Sequence, residues 1–167
     1  MEDCPVTEHG RVRSVAFIRS SYLYALLVDP TDSALWQTGI LNKDIIIIPA
    51  TSGAYDGGTT VEGPGYGNQE TAIVGAKHVV NYKDPDYKIN AEFYNAMKYM
   101  RQWHFAFVTE TLTHIFESGI ATVLPKAPVQ DDMNSEVVWE VEVRVSQPDS
   151  PVPIDTPAGV FESFNYV

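Results

Sequence analysis

Four histidines (His9, His78, His104 and His114), one cysteine (Cys4) and 22 acidic side chains are the residues of this 167-residue chain most able to do chemistry. Spacing decides which chemistry is open to them. No two histidines stand at the i, i+4 separation of a helical metal site. His104 and His114 are expected on one face of a single strand, where ten residues separate them by roughly 33 Å, too far to share an ion. Cys4 alone cannot form an intrachain disulfide or a cysteine-only zinc site. Gly63-Pro64-Gly65-Tyr66-Gly67 is glycine-rich like a phosphate loop. It lacks the preceding βαβ pattern, the following helix N-terminus and the GK[ST] that would give phosphate a cradle. Asp84, Asp86 and Asn90 lack the central glycine and terminal glutamate of a calcium loop, and Asp131-Asp132 with Asn134 reads as a solvated turn. There is no G-x-S-x-G, and no nucleophile has an identifiable base. Any chain with 22 acids offers carboxylate pairs, so those pairs are not evidence for glycoside cleavage. The expectation is a protein with no catalytic, cofactor-binding or metal-binding residues.

Charge is more informative. The 22 acids stand against 11 bases, a net charge of −11, and residues 102–167 hold ten of the acids against Lys126 and Arg144. Such a balance disfavours a duplex-binding surface, which needs cations against phosphate.

The elements that must position these residues are mostly strands. Val137, Trp139, Val141, Val143 and Val145 alternate with Glu136, Glu140, Glu142 and Arg144, which predicts a strand over 136–145 with a charged outer ladder. Further strands are expected over 12–18, 22–28 (pairing back across 19–21), 45–48, 71–82, 103–116 and 120–124. The apolar phase of 103–116 changes near Leu112, which suggests a bulge. One amphipathic helix is predicted over 91–102, capped by Asn90, with Phe93, Ala96, Met97 and Met100 on one stripe. Six glycines make 51–68 a long loop. Four prolines make 146–167 an extended arm, with Phe161, Phe164 and Tyr166 poorly placed in water. The fold class is thus mainly β with one amphipathic helix (α+β): a single domain over 1–145 with a proline-rich C-terminal arm over 146–167. No apolar run is long enough to span a bilayer. The acidic Met1-Glu2-Asp3-Cys4-Pro5 lacks the basic and apolar regions of a secretory signal.

Several stretches together carry a resemblance: Glu62-Gly63-Pro64-Gly65-Tyr66-Gly67, Asn90-Ala91-Glu92-Phe93-Tyr94-Asn95, 104–116, and Asp131-Asp132-Met133-Asn134-Ser135-Glu136 running into Val137-Val138-Trp139-Glu140-Val141-Glu142-Val143. Over roughly 60–155 the chain resembles structural proteins of tailed bacteriophages, particularly ring and tail components of crAss-like phages of Bacteroidetes. Its order of strands, short helix, strands and arm is similar to the tail-tube family. That resemblance implies a tail-tube-like β-sandwich or barrel that closes into a homo-oligomeric ring, six-fold or twelve-fold, around a DNA channel. Its other partners would be phage tail or portal proteins, with DNA passing through without specific binding and with no membrane. It further implies a virion protein of the tail or connector, found in the host cytoplasm during assembly. In such a ring Glu136, Glu140 and Glu142 are candidates to face the channel. Gly63, Pro64, Gly65, Tyr66, Phe161, Phe164 and Tyr166 are candidate intersubunit contacts. A capsid decoration or adhesin-like β-sandwich is the alternative, and an enzyme with an unrecognised site the third class.

Overall fold

The computed structural model of the chain describes residues 8, 10–63, 65, 67 and 72–161. It is mainly β, with two antiparallel sheets and three short helices. Three adjacent strands begin the first sheet: β1 (Ser14–Arg19), with β2 (Ile45–Ile48) on one side as an edge and β6 (Trp103–Val108) on the other. β7 (Leu112–Ile115) and β10 (Pro153–Asp155) extend it, in the order β10-β7-β6-β1-β2. The second sheet runs β3-β5-β9-β8, from β3 (Ser52–Tyr55), β5 (Ala72–Asp84), β9 (Trp139–Ser146) and β8 (Ala121–Lys126), and β4 (Thr59–Gly63) also pairs with β5.

Over β1, β2 and β6 the first sheet is covered on both faces, which is why these strands do not alternate: Ile45–Ile48 is four buried isoleucines and Trp103–Val108 is buried throughout. Val15, Phe17, Ile46, Ile48, Phe105 and Phe107 face the second sheet, where they meet Val80, Tyr82, Val123, Val141, Val143 and Val145. Ala16, Ile18, Ile45, Ile47, Ala106 and Val108 face the other way, onto a layer made by α1 (Ser20–Leu26), α2 (Ser33–Leu41) and the segment ending in Val160 and Phe161. Between the sheets α3 (Ala91–Met97) inserts Phe93, Tyr94 and Met97. The order of layers is therefore helices, sheet, sheet. Among the described residues nothing covers the outer face of the second sheet, and β9 shows it by alternation of buried side chains with half-buried or exposed ones.

Two helices stand where strands or loops were expected. Residues 22–28 form most of α1, and β1 pairs instead with β2 and β6. The continuous apolar run hides a helical stripe: Leu23 and Leu26 are buried, whereas Tyr24 is exposed. α2 was not expected from the sequence; it starts where the Asp32 carboxylate accepts a hydrogen bond from Ala34 N at 3.0 Å. Gly39 lets α2 lie close on the sheet, because a Cβ there would come within 2.5 Å of Ile45 and 2.7 Å of Tyr22.

Three further expectations are corrected. Residues 103–116 are two strands of a hairpin, and the phase change near Leu112 is the reversal between them. His104 and His114 consequently lie on opposite faces: His114 pairs with Phe107 and stacks on it at 4.6 Å, while His104 shares the parity of Ala106. The glycine-rich loop over 51–68 holds two strands, β3 and β4, which run successively along the same neighbour, β5. Between them the Asp56 carboxylate accepts from Gly58 N (2.8 Å) and Val79 N (3.2 Å), and Gly57 and Gly58 take φ of 83° and 87°. The described part of the proline-rich arm folds back on its own chain. β10 joins β7, and Phe161 packs on Trp36 with ring centroids 5.2 Å apart. Prolines are tolerated there because β10 is an edge strand.

Candidate interaction surface

The uncovered face of the second sheet is built by parity. On β5 it displays Lys77, Val79, Asn81 and Lys83; on β9 Glu140, Glu142 and Arg144; on β8 Thr122, Leu124 and Lys126. Glu140 and Glu142 stand on it as the alternation predicts, but not as a ladder of bare carboxylates. Lys126 Nζ lies 3.8 Å from Glu140, Arg144 lies 2.7 Å from Glu142, and Lys83 is the cross-strand neighbour of Glu140. Glu136 precedes the strand, which begins at Trp139; it lies exposed beside a groove of about 800 Å³ with Arg11, Arg13, Lys83 and Glu140. Face and groove together carry six of the chain's eleven cations (Arg11, Arg13, Lys77, Lys83, Lys126, Arg144). Against them stand Asp56, Glu62, Glu136, Glu140 and Glu142, five of its 22 acids. The local charge is +1 on a chain whose total is −11.

The opposite side of the molecule has the reverse character. Residues 20–42 contain Asp29 and Asp32 and no lysine or arginine, and they expose Tyr24 (83%), Val28 (82%) and Leu41 (82%). Asp29 holds the turn between α1 and α2 by accepting from Thr31 Oγ1 at 2.8 Å.

Of the expected intersubunit residues, Gly63 ends β4 and Gly65 is exposed. Pro64, Tyr66, Phe164 and Tyr166 lie outside the described residues. Phe161 is 5% exposed and belongs to the chain's own core, so it is removed from the set. Sequence reasoning missed the cationic character of the face. Arg144 was visible in the β9 alternation, but Lys77, Lys83 and Lys126 join it only through strand pairing.

Two buried polar clusters lie elsewhere. The Asp84 carboxylate, fully buried, accepts from Asp86 N at 3.1 Å, Tyr94 OH at 2.7 Å and Asn90 Nδ2 at 2.5 Å. Burial pushes its pKa up, partly offset by those donors. The same burial raises the Tyr82 and Tyr94 phenols. His78, 1% exposed, donates from Nε2 to the Gln147 carbonyl (3.0 Å), so that Nδ1 accepts from Tyr55 OH at 2.7 Å. Tyr55, Phe107, His114, Arg11 and Ser150 line a cleft of about 350 Å³ at that end of the sandwich. Burial lowers the pKa of both His104 and His114. Among the described residues no three His, Cys, Asp or Glu side chains come together as a metal would require, and no helix is long and apolar enough to cross a membrane.

The class that fold and surface define is an antiparallel β-sandwich with one sheet enclosed by helices and one sheet open. No family model, no curated protein and no solved structure matches the chain.

Proposed function

We propose that this chain is a non-catalytic structural subunit that associates with copies of itself, and that its setting is the virion of a tailed phage, as a ring component around the DNA passage. The supporting observation is the asymmetry of its two broad faces. An open, cation-bearing sheet lies on one side, and an acidic, apolar-studded helix layer on the other. Unlike faces on opposite sides of one body favour head-to-tail contact, and a heterologous contact that closes by rotation gives a ring. The sequence resemblance supplies the phage setting. Within a ring the open face has two possible uses, wall of the passage or contact with the next subunit. Glu140 and Glu142 would serve the first only together with the cations beside them.

Light scattering with negative-stain imaging of the purified protein tests this reading. A closed ring of several copies is the expected result, and a monomer at every concentration contradicts it. A binding module of the decoration or adhesin type is the second reading, favoured by the aromatic cleft around Tyr55, Phe107 and His114. Chemical-shift changes confined to that cleft on titration with oligosaccharides would support it.

A further inference from the structure

We infer that the open face of the second sheet is the seat of a second copy's helix layer, with Lys77 and Lys83 of one copy opposite Asp29 and Asp32 of the next. This rests on the reading of the chain as a self-associating subunit and names the two surfaces involved.

Three observations carry it. The first is enclosure. The first sheet has a helix layer on its outer face and the second has none among the described residues, although both sheets lie in one body. The second is charge. Lys77, Lys83 and Arg11 are exposed and have no ion-pair partner among the described residues, on a chain of net charge −11. A surface of that sign repels its own kind on a neighbour and attracts the remainder of the molecule, which is strongly acidic. The third is the exposed apolar set Tyr24, Val28 and Leu41, all on the acidic helix layer and each more than 80% exposed. Leu124 and Val79 on the open sheet offer them apolar ground. The two surfaces lie at opposite ends of the layer order, so one copy cannot satisfy both by itself. The contact is therefore heterologous and leaves one free surface of each kind until the array closes.

Duplex DNA is the competing occupant of a cationic face. It is disfavoured because a phosphate approaching Lys83 also meets Glu140 across the strand pair, and one approaching either lysine meets a chain of overall negative charge. Assigning the face to a neighbour takes Glu140 and Glu142 off the channel wall.

The test is a charge exchange read by sedimentation at low and physiological salt. Lys77→Glu with Lys83→Glu should weaken self-association at least tenfold, and so should Asp29→Lys with Asp32→Lys. The four changes combined should restore it. Lys77→Gln with Lys83→Gln gives an intermediate loss without placing new acids on the sheet, and circular dichroism establishes that each variant is folded. Assemblies of unchanged affinity in all variants, or no recovery in the folded four-fold variant, would overturn the inference while leaving the subunit reading intact. A wild-type protein that is monomeric throughout defeats both. Binding of a 20-base-pair duplex that is lost in the Lys77→Glu, Lys83→Glu variant would assign the face to phosphate and overturn the inference.

Discussion

The two sheets of this protein have the same antiparallel build and the same count of five described strands, yet their outer faces have opposite fates. In the first sheet, over β1, β2 and β6, both faces are apolar and both are covered, so Ile45–Ile48 can be four isoleucines in a row. In the second, one face enters the core and the other alternates lysine, glutamate and arginine towards the exterior. Changes at the buried side chains of the first sheet and its helix layer should therefore act on folding, and changes on the open face of the second sheet or at the exposed side chains of the helix layer on association.

The largest effect is expected at Trp36, fully buried between the first sheet and Phe161, its indole N–H donating to the Pro30 carbonyl at 2.7 Å. Trp36→Ala should cost about 3–5 kcal/mol, read as a shift in the denaturation midpoint. A change within about 1 kcal/mol would mean that the helix layer is loosely held and the contrast between the sheets is weaker than drawn.

A pair of glycines sharpens the same contrast. Gly39→Ala drives a methyl against Ile45 and Tyr22 and should destabilise by about 1–3 kcal/mol. Gly75→Ala, on the stretch of β5 paired only with β4, meets nothing within 4 Å and should fall within about 0.5 kcal/mol of wild type.

Two carboxylates should give pH dependences of opposite sign. Asp84, whose folded pKa is raised by burial, binds a proton more readily folded than unfolded. Its contribution is therefore greatest below the ordinary carboxylate range and falls as pH rises from that range through the raised value. Glu8 is held down to about 2 by the Thr111 N–H and hydroxyl and by its bonds to Thr109 and Leu112. Its contribution is present above the ordinary range and is lost as pH falls towards 2. Asp84→Asn should flatten the decline on the alkaline side of the carboxylate range while leaving the acid limb in place, as measured by urea denaturation across pH. Retention of the decline in Asp84→Asn would assign it to another group.

The smallest effect belongs to the open face. Arg144 is mostly exposed, and its pair with Glu142 is expected to contribute about 0–1 kcal/mol to folding. Glu142→Ala should leave the midpoint almost unmoved.

How far the sequence disclosed this arrangement follows from which contacts are local. The β9 alternation from Trp139 to Val145 was legible because a half-buried strand writes its environment into every second residue. The helical stripe of Phe93 and Met97 was legible in the same way. α1 was not, because the exposed Tyr24 and Val28 are apolar and erase the contrast on which periodicity depends. The hairpin of β6 and β7 read as one strand because its turn, Thr109 to Thr111, lacks glycine and proline. β3 and β4 read as loop because glycine density outweighed the Thr59-Thr60-Val61 signal. The cationic face is farther from sequence still. Lys77 and Lys83 come from β5, Arg144 from β9 and Lys126 from β8, so their company is fixed by register alone.

The claim that the open sheet of one copy meets the helix layer of the next is tested most directly by covalent capture. In a Cys4→Ser background, Asn81→Cys places a thiol on the open face and Tyr24→Cys one on the helix layer, on opposite sides of the body. A short bis-maleimide should convert the double variant into a ladder of covalent oligomers, while a mixture of the two single variants stops at the dimer. Absence of crosslinks in the double variant at concentrations where it is assembled, or dimers formed by either single variant alone, would contradict the account.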